Sequence, residues 1–265
     1  MPGESVSLLL TGKVAVVTGA GGAGSGRAIA RRLARDGASV VVSDINERGG
    51  RETVHRITKA KGHAAFFGTD VGVETEVRAL IAFAETTYGG VDIMVNNAGP
   101  YYPELLGHWF ETVQANLLGT MYGTLHAIAA MRRGGGGAIV NIGSTSSLGY
   151  GRKHSPSPAY DAAKAAVIRL TTTLAPLWEQ EGIRVNCLVP DWVATEKVKA
   201  YWDALMPQER KQQGVPDVLT TVQEIADAVV QLITDESLAG RAMVLWSGQP
   251  RRLVPVADPG YAALE

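Results

Sequence analysis

Lys13-Val-Ala-Val-Val-Thr-Gly-Ala-Gly-Gly-Ala-Gly-Ser-Gly-Arg27 is the stretch that decides the fold. Its first residues are almost all apolar, as in a strand buried on both faces of a sheet, and a glycine-rich turn follows directly. Residues 27–35 then show helical spacing of apolar side chains, and residues 38–43 form a second apolar run that ends at Asp44. A strand, a glycine loop, a helix and a second strand with an acidic end are typical of a dinucleotide-binding unit.

The glycine loop and Asp44 predict how such a ligand would bind. Glycine lets the backbone approach a pyrophosphate closely, and the start of the following helix presents oriented N–H groups to it. Asp44 can accept hydrogen bonds from ribose hydroxyls and would repel a 2′-phosphate, so the sequence favours NAD over NADP. The alternative for Asp44 is a solvated turn residue.

Strands and helices continue to alternate along the rest of the chain. Further strands are predicted at residues 63–67, 91–95, 138–142, 183–189 and 242–246, and helices at 47–61, 73–88, 106–131, 160–180 and 222–234, with irregular helical pieces at 194–213. This order predicts an α/β fold, a Rossmann-like doubly wound parallel sheet of about seven strands with helices on both faces. No linker divides the sequence, so residues 1–265 are predicted to form a single domain.

Composition excludes several classes of protein. The 265 residues carry a net charge of -1, so the chain lacks the excess of positive charge that is typical of nucleic-acid-binding proteins. No apolar run is long enough to cross a membrane. One cysteine, Cys187, rules out an internal disulfide and favours a reducing, cytoplasmic location. The five histidines show no metal-ligand spacing, so no metal is expected.

Tyr160 and Lys164 are the strongest candidates for chemistry, in the stretch Ser157-Pro-Ala-Tyr160-Asp-Ala-Ala-Lys164. On a helix this spacing puts the phenol and the ammonium on one face. A nearby cation favours the phenolate, so we expect Lys164 to lower the tyrosine pKa from its usual value of about 10. Reaching a pKa of about 7 would take roughly 4 kcal/mol, supplied by Lys164 together with a bound cationic cofactor. The same spacing also arises by chance on many helices.

Together with other motifs in the same order, this pair resembles the short-chain dehydrogenase/reductase family in its compact single-domain form. The resemblance extends from about Gly12 to Gly248. Its motifs are the Thr18-Gly19 glycine loop, Asp70-Val71, Asn96-Asn-Ala-Gly99, Asn116 within a long helix, Ser144, Tyr160-x-x-x-Lys164 and Pro190. The resemblance implies an NAD(H)-dependent oxidoreductase that interconverts a small-molecule secondary alcohol and a ketone. An NAD(H)-binding regulatory or sensing protein with little turnover is the alternative.

The resemblance also implies a role for each catalytic candidate. Tyr160 would be the general acid/base, and Lys164 would lower its pKa and bind the nicotinamide ribose. Ser144 would hold the substrate oxygen, or else be a simple turn serine, with Ser146 or Ser147 as competitors for the role. Asn116 would hold a water in a proton relay, or else be a structural polar residue of its helix.

The cofactor contacts implied by the resemblance come from most of the motifs. Thr195 among them has a simple alternative, because Thr-Glu-Lys is also a typical helix N-cap. The implied NAD-binding residues are Gly19, Gly24, Ser25, Gly26, Asp44, Asp70, Val71, Asn97, Ala98, Gly99, Tyr160, Lys164, Pro190, Val193 and Thr195.

The sequence departs from the family pattern at five places. The glycine loop is one residue longer than usual and puts Ser25 where an apolar residue is common, and Gly143 replaces a serine. The interval from Ser144 to Tyr160 is also longer. Pro190-Asp191 stands where the family has Pro-Gly, and Trp246-Ser-Gly-Gln replaces an ending in Gly-Gly.

Residues 190–221 are expected to bind the substrate. The pocket should be bounded by residues 148–158, Trp192, and residues 195–214 with Tyr201 and Trp202, a partly apolar set that suits a hydrophobic or cyclic substrate. The resemblance implies a homo-oligomer, a tetramer or a dimer, paired through the Asn116 and Tyr160 helices. The C-terminal tail, residues 249–265, is expected either to pack on a neighbouring subunit or to be mobile.

Overall fold

A computed structural model describes residues 8–148 and 157–256 of the chain. One sheet runs through it, in the spatial order β3-β2-β1-β4-β5-β6-β7-β8. Its strands are β1 (Val14–Thr18), β2 (Ser39–Asp44), β3 (His63–Gly68), β4 (Ile93–Asn96), β5 (Gly137–Ile142), β6 (Ile183–Pro190), β7 (Ala242–Leu245) and β8 (Arg252–Leu253). Neighbouring strands from β3 to β7 are parallel, and β8 pairs antiparallel with β7. The doubly wound parallel sheet is confirmed, and the short β8 adds one strand that the sequence did not predict.

Helices cover both faces of this sheet because the strands are apolar on both sides. Val17 and Val40 belong to one buried cluster, whereas their neighbours Val16 and Val41 belong to another. Alternate side chains of a strand point to opposite faces, so each strand feeds two cores. The helices are α1 (Ser25–Arg35), α2 (Glu47–Lys59), α3 (Glu74–Tyr88), α4 (Trp109–Val113), α5 (Gly119–Gly134), α6 (Pro158–Thr173), α7 (Leu177–Glu181), α8 (Glu196–Ala204), α9 (Pro207–Gln213) and α10 (Val222–Thr234).

Two helices differ from their predicted bounds by three residues or more. The helix predicted at 106–131 begins only at Trp109, after Gly107, and it contains a wider π-helical turn at Gln114–Leu118 between α4 and α5. The helix predicted at 160–180 ends at Thr173, and a separate short helix, α7, follows Pro176. Proline has no N–H to donate and clashes with the preceding turn, which explains the break.

Within residues 8–148 and 157–256, no helix combines the length and apolar character needed to span a membrane.

Candidate active site

The carboxyl ends of β1, β4, β5 and β6 lie side by side at one edge of the sheet. The chain runs from β1 outward to β3 and then returns to the other side of β1 as β4, so the winding direction reverses between β1 and β4. Open α/β sheets bind ligands in the crevice at such a reversal. Gly19 follows β1, Asn97 follows β4, Ser144 lies just after β5, and Asp191 follows β6. The fold therefore brings the predicted motifs to one edge.

The glycine loop packs directly against the residues after β4. A side chain at Gly26 would clash with the carbonyl of Gly19, so α1 can approach the end of β1 only with glycine at this position. The Asn97 side chain donates from Nδ2 to the carbonyls of Thr18 (2.9 Å) and Gly19 (3.2 Å). Asn97, which was predicted to line the cofactor site, thus also holds the glycine loop in place.

The extra residue of the glycine loop is accommodated by Arg27. Its Nη2 donates to the carbonyls of Gly21 (2.7 Å) and Gly49 (3.2 Å), and its Nε donates to Thr53 Oγ1 (2.8 Å) on α2. Thr53 Oγ1 also lies 2.7 Å from the Ala20 carbonyl, to which it donates. The first half of the loop is therefore fixed to α2, an anchor that the sequence analysis missed.

The start of α1 is suited to an anion. Gly24 precedes the helix and no described side chain caps its first turn, which begins at Ser25. The first N–H groups of a helix carry partial positive charge and lack partners within the helix. Gly24 and Ser25 therefore lie where a pyrophosphate could be bound.

Asp44 contacts the same loop from the end of β2. Its Oδ2 accepts a hydrogen bond from the Gly21 N–H (2.7 Å), and its Oδ1 accepts one from the Asn46 N–H (2.8 Å). The carboxylate remains partly exposed, and the next residue, Ile45, presents an apolar side chain that is 77% exposed. Asp44 is thus more than a solvated turn residue, because it joins β2 to the loop and still faces the open edge.

Ser144 lies at the start of a short 3-10 turn, Thr145–Ser147. Its Oγ accepts hydrogen bonds from the Ser146 hydroxyl (3.0 Å) and from the Ser146 N–H (3.3 Å), whereas the Ser147 hydroxyl donates to the Ser144 carbonyl (2.7 Å). Ser144 also hydrogen-bonds the Tyr160 phenol. Ser144 is therefore the serine that contacts Tyr160. Because its Oγ accepts both bonds from Ser146, the proton of Ser144 itself is available for donation.

Lys164 is buried one turn after Tyr160 on α6. Its Nζ donates to the carbonyl of Ile142 (2.8 Å), at the end of β5, and lies 5.5 Å from the centre of the Tyr160 ring. The Tyr101 ring meets Tyr160 edge-on with 5.1 Å between ring centres, a neighbour that the sequence analysis did not identify. The helical spacing has therefore placed phenol and ammonium on one face, beside Ser144.

The pKa shifts differ from the expectation. Burial raises the pKa of Tyr160 to about 12, and the hydrogen bond from Ser144 only partly opposes it. Burial also lowers the pKa of Lys164 to about 8. Both shifts have one cause, because a poorly solvated site disfavours phenolate and ammonium alike. In the protein alone, the net shift of the Tyr160 pKa is therefore upward, opposite to the expected lowering.

Asn116 lies in the π-helical turn and is completely buried. Its Nδ2 donates to the carbonyls of Pro100 (2.9 Å) and Thr112 (3.1 Å), while its Oδ1 is a buried acceptor with no partner among the described residues. Buried acceptors of this kind are commonly satisfied by an ordered water. The geometry fits a residue that holds a water.

The remaining predicted cofactor residues lie around the same edge. Pro190 ends β6, and Val193 forms an isolated bridge with Thr220. Thr195 is indeed an N-cap, since its hydroxyl accepts from the Val198 N–H (3.4 Å), and its methyl group also faces Gly24 across the cleft.

Four motif residues lie shortly after β3 or β4. Asp70 is exposed and accepts from the Gly72 N–H (2.9 Å), and Val71 is buried against Gly119. Ala98 follows Asn97 and donates its N–H to Thr18 Oγ1 (3.1 Å), and Gly99 packs on the Asn116 side chain. These contacts hold the segments in place, and nothing in them excludes a ligand.

Two of the three predicted pocket aromatics face each other. Trp192 and Tyr201 stack with 6.0 Å between ring centres. Trp202 instead donates its indole N–H to the Pro216 carbonyl (2.8 Å) and lies under the Arg210 guanidinium, so it joins α8 to α9. Residues 149–156 of the predicted 148–158 boundary lie outside the described parts of the chain.

Gly143, which stands in place of a serine, has a packing explanation. A Cβ atom there would lie 3.0 Å from Cys187 Sγ and 3.3 Å from side-chain carbons of Ile168 and Val189. These three side chains already fill the space behind the Ser144 turn.

Several known proteins are similar to this chain. The family model described as short chain dehydrogenase matches residues 13–205. The short chain dehydrogenase/reductase astE of Aspergillus oryzae is 34% identical over 94% of this chain and 98% of its own length. A cis-4-hydroxycyclohexanecarboxylate dehydrogenase of Sinomonas cyclohexanicum is 36% identical over 84% of this chain and 90% of its own length.

A solved structure is similar over nearly the whole fold. It is a 7α-hydroxysteroid dehydrogenase in complex with NADH and 7-oxo glycochenodeoxycholic acid, with a TM-score of 0.81 and 30% sequence identity. The match covers 94% of this chain and 98% of that one.

The Arg27 anchor predicts a loss of stability. Arg27→Met leaves the Gly21 and Gly49 carbonyls without a charged donor, and we expect the free energy of unfolding in urea to fall by about 3 kcal/mol. Arg31→Met, on the exposed side of the same helix, is the matched control and should change it by less than about 0.5 kcal/mol. Equal effects of the two variants would contradict the anchoring role.

Proposed function

The chain belongs to the short-chain dehydrogenase/reductase family, and we propose that it is an NAD(H)-dependent oxidoreductase that interconverts a secondary alcohol and a ketone. The observation that carries the proposal is the group formed by Ser144, Tyr160 and Lys164. The phenol is hydrogen-bonded to the serine, and the ammonium is buried beneath the phenol. This is an arrangement for moving a proton to or from a substrate oxygen.

Members of this family bind a nicotinamide cofactor, and we propose NAD for this chain. The uncapped start of α1, with Gly24 and Ser25, would hold the pyrophosphate, and Asp44 would accept hydrogen bonds from the adenosine ribose. Asn97 to Gly99 and residues 190–195 would line the other wall. When bound, the nicotinamide supplies or accepts the hydride.

The side chains would transfer the proton to or from the substrate oxygen. In reduction, Tyr160 would donate its proton to the carbonyl oxygen, while the Ser144 hydroxyl holds that oxygen in place. Lys164 would stabilise the resulting phenolate, and a water held by Asn116 Oδ1 would return a proton. In oxidation, the same groups would work in the reverse direction.

The two pKa values favour the acid form of Tyr160. A phenol with a pKa of about 12 is protonated at neutral pH, so it is ready to donate a proton but is a poor base. Lys164, with a pKa of about 8, is still mostly charged at pH 7. We therefore propose that reduction is faster than oxidation near neutral pH.

A hydrophobic ring is the substrate class that we propose. The exposed Tyr101 ring adjoins Tyr160, and the stacked Trp192 and Tyr201 lie in the segment after β6. Aromatic surfaces of this kind suit an apolar cyclic ligand. Two of the compared proteins support the proposal, since they are named for a hydroxycyclohexane acid and a hydroxysteroid.

We further propose that the protein is a homo-oligomer. Phe110 of α4 is 88% exposed, and Met121 and Leu125 of α5 are also exposed. A run of exposed large apolar side chains typically marks a protein–protein interface. Pairing of this face with its copy would cover it.

A panel of cyclohexanols, bicyclic alcohols and steroid alcohols with their ketones, followed at the nicotinamide absorbance, tests the reaction. We expect turnover of at least one ring alcohol, and Tyr160→Phe should lower kcat by about a thousandfold because the proton donor is lost. The Kd for NADH should change less than about threefold. Tyr88→Phe, which removes a phenol at the end of α3, should keep wild-type turnover. A Tyr160→Phe variant as fast as wild type would refute the mechanism.

The pH dependence should differ between the two directions. The kcat/KM for reduction should be constant up to about pH 8 and fall above it, as Lys164 loses its charge. The kcat/KM for oxidation should rise with pH over the same range, as the fraction of phenolate grows. Lys164→Met should be slow at all pH values and lack the step near pH 8. Reduction that speeds up above pH 8 would contradict this assignment.

Asp44 should determine the choice of cofactor. Asp44→Ala removes the acceptor proposed for the ribose hydroxyls and the charge that repels a 2′-phosphate. The ratio of kcat/KM for NAD to that for NADP should therefore fall by about a hundredfold, or about 2.7 kcal/mol. Asp44→Asn keeps the shape of the side chain and one oxygen acceptor but removes the charge, so it distinguishes the effect of the charge from that of packing. A wild-type protein that binds NADPH more tightly than NADH would exclude this role.

A further inference from the structure

Asp191 stands where the family pattern has glycine, and its carboxylate links two turns of the candidate site. Oδ1 accepts a hydrogen bond from the Thr145 hydroxyl (3.0 Å), and Oδ2 accepts one from the Ser247 N–H (3.3 Å). Its own N–H donates to the Leu245 carbonyl (3.0 Å). Glycine could make only the last of these three bonds.

Thr145 is the residue directly after Ser144. It is buried, and it begins the 3-10 turn whose hydrogen bonds surround the Ser144 hydroxyl. The bond from Thr145 to Asp191 ties this turn to the segment that follows β6, the strand next to β5.

Ser247 belongs to the second departure from the family pattern, Trp246-Ser-Gly-Gln. Its hydroxyl lies 3.1 Å from Thr220 Oγ1 and 3.5 Å from the Trp192 carbonyl. The Thr220 N–H in turn donates to that same carbonyl (2.8 Å). The two departures are therefore in contact, and together they form one hydrogen-bonded group around Asp191.

We propose that Asp191 is a positioning residue, which holds the Ser144 turn through Thr145 and thereby sets where the Ser144 hydroxyl meets the substrate oxygen and Tyr160. The inference rests on the proposed function, because it assigns a role to Ser144 in that reaction. A carboxylate suits this task, because it offers acceptors to two donors at once and its hydrogen bonds are stronger than those of a neutral acceptor.

Two pairs of variants test the link. Thr145→Val removes the hydroxyl and keeps the shape, whereas Thr145→Ser keeps the hydroxyl. Asp191→Ala removes both acceptors, whereas Asp191→Asn keeps an acceptor for Ser247 and can donate to the Thr145 oxygen. With cyclohexanol, or the fastest ring alcohol of the panel, Thr145→Val and Asp191→Ala should each lower kcat about tenfold. The Ser and Asn variants should recover most of it.

A double-mutant cycle decides whether the two residues act together. If Asp191 works through Thr145, the double variant Thr145→Val/Asp191→Ala should be no slower than the slower single variant. The Kd for NADH and the thermal unfolding temperature of the variants should stay close to those of wild type, which a general loss of structure would not allow. An unchanged kcat in Thr145→Val, or effects that multiply to about a hundredfold, would overturn the proposal.

Crystal structures of the variants distinguish a failure of this proposal from a failure of the proposed function. If wild type turns over no alcohol or ketone of the panel, the proposed function fails, but the position of Ser144 can still be measured. In Thr145→Val the Ser144 Oγ should move beyond hydrogen-bond reach of the Tyr160 phenol, more than about 3.5 Å away. A serine that stays in place in this variant would refute the positioning role.

Discussion

The buried ammonium of Lys164 is the group on which the candidate site depends. A charge this deep in a protein needs polar partners, and Lys164 finds one in the carbonyl of Ile142 at the end of β5. That bond fixes α6 against the sheet. Tyr160, one turn earlier on the same face, is thereby held beside Ser144, which lies two residues beyond Ile142. One interaction therefore sets the register of the helix and the contact between phenol and serine.

The same burial explains why the site favours the protonated phenol. The sequence suggested that a nearby cation lowers the tyrosine pKa, but a nearby charge is only one of the contributions to that pKa. Desolvation acts on both partners: it raises the pKa of Tyr160 to about 12 and lowers that of Lys164 to about 8. A base of useful strength therefore needs further positive charge, which an oxidised nicotinamide would carry. In the proposed reaction, proton transfer and cofactor binding would therefore be coupled through this pair.

Local patterns in the sequence predicted most of the fold and less of the site. Strands such as β1 and β6 are continuous apolar runs, which identify buried parallel strands, whereas the two residues of β8 are too few to form a pattern. The π-helical turn around Asn116 was missed because apolar spacing continues through it. The sequence could not give the contacts of Arg27 and Tyr101, because their partners are distant in the chain and meet only through folding.

The departures from the family pattern are explained by their hydrogen-bond partners on neighbouring elements. The longer glycine loop is matched by Arg27 and Thr53, which fix its first half to α2. Asp191 is matched by Thr145 and by Ser247, itself part of another departure. In both cases the unusual residue is satisfied by a partner on a neighbouring element, so its polar groups are not left unpaired at the sheet edge. The residues proposed for chemistry keep the family pattern, and what is particular to this chain lies in the contacts that position them.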